Sequence, residues 1–267
     1  MEEGIGKRDI VEISDSDRRL NRMETSEAVG FVMLHGAGLG AWIWQDTVSR
    51  MEHPVLAIDL PGRGKHANTL TKELTFQQYV EAVLAEVDSF NPRKLILVCH
   101  SISGLIGLEI ASLRKDRIVG FIAVGAAIPS GNGSFLSCIP GMQRAFLSVM
   151  LAVAGTKPPA SAIRSGLCSD LDDHLAARVV ERFVPESRKI YTEKLTRRGT
   201  PHNALYVLLK QDRQFQPSLQ KRMAENLQAS ETAELDSGHL PMLSKPEELA
   251  QICKQYAESI GGGVQRA

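Results

Sequence analysis

Five short, nearly unbroken apolar stretches are spaced along the chain, at 29–34, 55–58, 95–98, 118–124 and 205–209. Apolar runs of this length without alternation suit parallel strands buried on both faces. Between them the apolar positions change to a helical period. The clearest case is 75–90, where Phe76, Tyr79, Val80, Val83, Leu84, Val87 and Phe90 recur at spacings of three and four, with Glu81, Glu86 and Asp88 set away from that stripe. Strands alternating with amphipathic helices predict an α/β fold with a mostly parallel central sheet flanked by helices.

Two regions break the alternation. Residues 1–28 are mostly polar, with one alternating piece, Asp9-Ile10-Val11-Glu12-Ile13, that reads as an edge strand. Residues 129–202 hold Pro129, Pro140, Pro158, Pro159, Pro185 and Pro201 but no buried strand. Helices at 141–153 and at 171–183, the second opened by Asp170 as N-cap, fit that stretch better. The predicted organisation is a polar extension (1–28), a core built from 29–128 and 203–267, and a helical cap (129–202) inserted between two sheet strands. Within the cap, 135–154 has a bilayer-spanning length and a single charge, Arg144, yet Pro140-Gly141 breaks it as a helix and the remainder is too short to cross. It is expected to be buried or to line a pocket, with Phe135, Leu136, Met142, Phe146, Leu147 and Met150 facing a ligand.

Composition narrows the function classes. Across 267 residues, 31 Lys and Arg balance 31 Asp and Glu. A net charge of zero argues against nucleic acid, whose phosphates require a cationic surplus. Cys99, Cys138, Cys168 and Cys253 have no C-x-x-C spacing and are expected to be reduced, buried thiols. His53, His66, His174 and His202 lack metal-ligand spacing, so no metal is expected. No phosphate-cradling glycine loop appears, so no nucleotide cofactor is implied. The first residues lack the apolar run of a secretory signal, which makes a cytoplasmic protein without a membrane span the default expectation.

The strongest chemical signal is Leu95-Ile96-Leu97-Val98-Cys99-His100-Ser101-Ile102-Ser103-Gly104, followed by an apolar helix over 105–113. Strand, sharp turn with a serine at its tip, and helix make the context of a nucleophile elbow, usually G-x-S-x-G. Here Cys99 and Ser103 replace the outer glycines, and both are small. A serine needs a base, and the base an orienting acid. Asp212 follows the apolar run ending at Leu209, and His239 lies in Asp236-Ser237-Gly238-His239-Leu240-Pro241, between a short strand at 232–235 and a helix from about 246 to 260. Both positions suit loops at strand ends, in the order Ser, Asp, His. Glu234 and Asp236 are the rival acids, too close to His239 to come from a separate strand. His35-Gly36-Ala37-Gly38-Leu39-Gly40 follows the first strand, and its glycines let backbone amides turn toward Ser101. The two oxyanion donors are assigned to the N–H groups of Ala37 and Ile102.

These residues, with the loop Asp59-Leu60-Pro61-Gly62-Arg63-Gly64, resemble the α/β-hydrolase superfamily from Val29 onward. The stretch from His35-Gly36-Ala37 through Gly40-Ala41-Trp42-Ile43-Trp44 is similar to the branch holding plant methyl-ester esterases and hydroxynitrile lyases. In those lyases a threonine follows the motif histidine and a lysine follows the catalytic one; Gly36 and Leu240 stand at these places here, which favours the esterase side. The resemblance also implies that His100 is structural and points away from the site. Trp42 and Trp44 are expected to pack, and Arg63-Gly64-Lys65-His66 to form a basic surface loop.

The expected activity is serine carboxylesterase chemistry on a small to medium, apolar ester, without a cofactor, by a monomer or homodimer. The open alternatives are other reactions of the same triad (lactone, thioester or carbon–carbon hydrolysis, or lyase chemistry) and a ligand-binding protein with little turnover.

Overall fold

The structure, a computed structural model, describes residues 29–264 apart from 198, 200 and 202. The proposed edge strand at 9–13, and His202, lie outside the described residues.

Six strands form one sheet: β1 (Gly30–Leu34), β2 (Val55–Ile58), β3 (Leu95–His100), β4 (Ile118–Val124), β5 (Ala204–Leu209) and β6 (Glu231–Leu235). Their order is β2-β1-β3-β4-β5-β6 and every neighbouring pair is parallel. After β1 the chain moves outward to β2, then returns across β1 to β3. The ends of β1 and β3 therefore diverge, and such a divergence opens a crevice at the carboxyl ends of the strands.

Alternate residues feed two cores. Val32, Leu34, Leu97 and Cys99 face one side, packed against α2 (Phe76–Ser89) and α3 (Ser103–Leu113). Phe31, Met33, Ile96 and Val98 face the other, with the short helix α1 (Gln45–Val48) and its preceding turn at that side. Helix α2 starts at Thr75, whose hydroxyl accepts from Gln78 N–H while the Gln78 side chain accepts from Thr75 N–H, a reciprocal cap. Its stripe buries Phe76, Tyr79, Val80, Val83 and Val87 as expected. Glu86 is the exception. It is buried too, where its carboxylate pairs with Lys65 (2.8 Å) and His66 (2.9 Å).

Between β4 and β5 the described residues form five helices: α4 (Phe135–Cys138), α5 (Gly141–Val153), α6 (Ala160–Gly166), α7 (Asp173–Glu181) and α8 (Lys189–Thr192). The N-cap of α7 is Asp172, which accepts from Leu175 N–H; Asp170 lies before it and has another role, below. Helices α9 (Pro217–Leu227), α10 (Pro241–Ser244) and α11 (Pro246–Val264) complete the chain.

The apolar part of the cap departs from expectation in one respect. Phe135 is buried, and Leu136 and Leu147 are half-buried. Met142 and Phe146 instead point to solvent, 89% and 70% exposed, and Met150 is exposed as well. The helical period shows which residues share a face, and here the outward face is the apolar one. Arg63 departs in the opposite direction: it is no surface cation but is 6% exposed, in an ion pair of 2.7 Å with the buried Glu186.

Candidate active site

At the carboxyl ends of β3, β5 and β6, Ser101, Asp212 and His239 come together. Ser101 follows β3 directly and has φ 54°, a conformation that costs a residue with a Cβ about 1–3 kcal/mol. The turn is held by Ser101 N–H donating to the Val124 carbonyl (3.3 Å) and by the Ser101 carbonyl accepting from Ala127 N–H (2.8 Å) and Gly104 N–H (3.1 Å). His239 Nε2 lies 3.1 Å from Ser101 Oγ, and His239 Nδ1 lies 2.8 Å from Asp212 Oδ2. Asp212, in the turn after β5, accepts from Gln214 N–H (2.6 Å) and Phe215 N–H (3.1 Å) through its other oxygen. Burial works to raise the Asp212 carboxyl, but the imidazole of His239 and these two amides outweigh it and hold the acid below its usual value. Glu234, within β6, and Asp236, just after it, are both exposed, and Asp236 bonds Gln211 instead.

The replaced elbow glycines have partners. Ser103 Oγ donates to the His35 carbonyl, which ties the elbow to the loop after β1. Cys99 fills the space over Gly107, where an added Cβ would stand 2.3 Å from its sulfur. With desolvation alone acting on it, the thiol is pushed above its ordinary value and stays protonated.

Residues 35–38 form a strap held by hydrogen bonds from several sides. His35 Nδ1 lies 2.8 Å from the Gly36 carbonyl and its Nε2 accepts from Leu60 N–H (3.0 Å). Gly36 N–H donates to His100 Nδ1 (3.1 Å), and Gly38 N–H to Glu186 Oε1 (3.1 Å). The amide between them, that of Ala37, has no acceptor among the described residues, nor has that of Ile102 beyond the elbow. Two amides flanking Ser101 without intramolecular acceptors are what an anionic tetrahedral oxygen requires. Gly36 has to be glycine: a Cβ there would meet His100 Nδ1 at 2.8 Å and Ser101 Cβ at 2.9 Å. Gly38, at φ +78°, has no room either, since Phe183 covers it.

His100 does not turn away from the site. Its ring stands 4.8 Å from that of His239, and its Nε2–H donates to the His239 carbonyl (2.8 Å) while Nδ1 accepts from Gly36. These two bonds fix the tautomer and require the neutral ring. Burial, with help from the nearby His239, lowers its pKa to about 3.

Two cap residues reach the same loops. Asp170 accepts from Gly238 N–H (2.6 Å), next to His239. Glu186 holds Gly38, Arg63 and the Tyr79 hydroxyl at once. Neither was visible in the sequence, because each meets a partner 68 or 148 positions away. Phe215 was also missed; its ring stands edge-on to His239 at 5.7 Å, and Phe135 and Tyr191 continue the row. Leu136 and Leu147 pack against the same core as Phe135, whereas Met142, Phe146 and Met150 lie outside it. Trp44 is fully buried, and Trp42 lies under the guanidinium groups of Arg178 and Arg182. The four cysteines are free and buried, and among the described residues no group of His, Cys, Asp or Glu is arranged to hold a metal ion.

A parallel sheet, a strained serine after its third strand and an acid–base pair on later strand ends define a hydrolase of the α/β type. The model of the Alpha/beta hydrolase family matches residues 31–252, and the chain belongs to that family. It is similar to Methylesterase 9 of Arabidopsis thaliana, 26% identical over 252 residues that cover 85% of this chain and 98% of that one. Polyneuridine aldehyde esterase of Rauvolfia serpentina is 25% identical over 259 residues, covering 86% and 96%. Among solved structures, an extracellular alpha/beta-hydrolase from a Paenibacillus species, described as sharing structural and functional homology with a tobacco salicylic acid binding protein, superposes with a TM-score of 0.76 at 18% identity, covering 85% and 98%.

Proposed function

We propose that the protein is a serine carboxylesterase that hydrolyses a small or medium-sized, apolar ester. The observation that carries this reading is the continuous chain Ser101 Oγ, His239, Asp212, flanked by two amides without intramolecular acceptors. Ser101 Oγ attacks the ester carbonyl as His239 Nε2 takes its proton, and Ala37 and Ile102 N–H stabilise the oxyanion. His239 returns the proton to the departing alcohol. Water then attacks the acyl-enzyme with His239 again as base, releasing the acid and Ser101. Asp212 holds the imidazole with Nε2 toward Ser101 throughout. The apolar character of the substrate is supported by the row Phe215, Phe135, Tyr191 beside the base, and the ester by the names of the similar proteins.

The side-chain space at position 36 supports hydrolysis over cyanohydrin cleavage, since no threonine fits there without displacing His100 or Ser101. The test is a panel of p-nitrophenyl esters of increasing acyl length, together with methyl esters of aryl acids, run on wild type and Ser101→Ala. Wild type is expected to turn over at least one series, and Ser101→Ala to lose about 10⁶ of that rate. Wild-type rates no higher than those of the variant on every ester would remove the esterase reading.

A further inference from the structure

Helix α5 carries its apolar stripe on the outside. Met142, Phe146, Val149, Met150 and Val153 are all exposed, and their spacing of four, three, one and three places them on one face. The opposite face supplies the attachment: Leu151 is buried, and Leu147 and Ser148 are half-buried. Thus a helix with a strong apolar stripe lies on the surface with that stripe toward water. Burying apolar surface is more favourable than leaving it in water, so something other than water is expected to cover it.

The surrounding charge identifies what that is. From residue 129 to residue 169 the chain has no Asp or Glu, and its charged residues are Arg144, Lys157 and Arg164. Arg164 is engaged by Asp173 (3.7 Å). A cleft at the start of α5 is lined by Pro140, Gln143, Arg213, Gln214 and Arg222, and its charged members are both arginines. Arg222 donates to the Cys138 carbonyl (3.2 Å), which fixes it at the cleft edge. An apolar stripe set in a stretch that carries cations and no acid between residues 129 and 169, with two arginines at the cleft by its start, matches a lipid–water boundary with anionic headgroups. A second copy of the chain fits less well. The stripe is a strip roughly 20 Å by 10 Å, short of the ~800 Å² per partner of a stable interface.

We infer that α5 is an interfacial helix, seating Met142, Phe146, Val149 and Val153 in the headgroup–acyl boundary of an anionic phospholipid surface while Arg144, Lys157 and the Arg213–Arg222 cleft take headgroup phosphates. This places the cap against the lipid. The surface is independent of the chemistry at Ser101.

The test is co-sedimentation of the full chain with phosphatidylcholine vesicles and with vesicles containing 30 mol% phosphatidylglycerol, as a design choice of about one anionic lipid in three. Binding is expected to the anionic vesicles, at least tenfold weaker to phosphatidylcholine, and reduced by added salt. The double variant Phe146→Ser/Val149→Ser should lose binding at least tenfold while keeping wild-type turnover of a short, water-soluble ester, since both residues are exposed and outside the site. Arg144→Gln/Lys157→Gln should lose only the preference for anionic vesicles. The proposal is overturned by no wild-type binding to either vesicle, by equal binding to both, by unchanged binding of the double variant, or by a dimer in light scattering that Phe146→Ser/Val149→Ser dissociates.

Discussion

The stretch from Leu95 to Leu113 and helix α5 are both rich in apolar residues, yet one is sealed and the other lies open. Every residue of β3 is buried, and α3 buries nine of its eleven residues. Helix α5 buries one of thirteen. The difference is one of neighbours rather than of composition. β3 has β1 and β4 on either side and helices on both faces. α5 meets the body along the seam of Leu147, Ser148 and Leu151. An apolar run is therefore buried where topology supplies two covers, and in an insertion joined to the fold at its ends the same text can be presented outward.

The largest effect that sharpens this contrast belongs to the sealed region. Asp212→Asn keeps the size of the side chain and its bonds to Gln214 and Phe215 but cannot hold the imidazole with Nε2 as base toward Ser101. We expect kcat to fall about 10⁴ with little change in thermal stability. A loss of less than tenfold in steady-state kinetics would place the orienting acid elsewhere.

A buried polar frame carries a pH signature that an exposed one lacks. His100 is held neutral with a pKa near 3, and His35 well below its usual value, mainly by burial. In the unfolded chain both titrate near the ordinary value of about 6.5. Between these values the unfolded chain binds more protons, so the stabilisation is complete above about pH 6.5 and is lost as pH falls toward 3. Thermal unfolding should show Tm dropping by roughly 10 °C from pH 6.5 to 4.5. His100→Gln should start lower and change less over that interval; an identical slope in the variant would show that other groups carry the acid sensitivity.

The fold was largely legible because the strands are buried on both faces, which writes continuous apolar runs into the sequence, and because helix α2 faces one core with a regular stripe. That Ser101, Asp212 and His239 would meet was legible through chain order and their places at strand ends. What could not be read was long-range and polar. His100 meets Gly36 and His239 across 64 and 139 positions, and a lone Asp170 or Glu186 in a proline-rich stretch has no periodicity to betray its partner. Glu86 was misplaced because a helix edge can bury a carboxylate when Lys65 and His66 come to meet it. The direction of α5 was illegible for a symmetrical reason: its period is the same whether the apolar face points in or out.

A smaller effect tests whether the cap contributes to the sealed site. Asp170 is itself exposed, and its one bond to the loop of His239 goes to Gly238. Asp170→Ala should lower kcat about tenfold, the factor that corresponds to 1.4 kcal/mol, leave KM within about twofold, and change Tm little, as surface substitutions do. Asp170→Asn, which keeps an acceptor, should recover most of the rate. If kcat and KM both stay at wild-type values, the cap does not position His239 through this bond.

The smallest expected effect is the most direct test of the opening contrast. Leu108 in α3 is fully buried, and Leu108→Ala should cost about 2–5 kcal/mol through lost transfer energy and the cavity left behind. Phe146 has more apolar surface to lose, but in the folded chain it is 70% exposed. Phe146→Ala should therefore change stability by less than about 0.5 kcal/mol in denaturant titration without lipid, with m unchanged. A cost comparable to that of Leu108→Ala would mean that Phe146 is covered in the free protein, and the two regions would then differ in sequence position but not in burial.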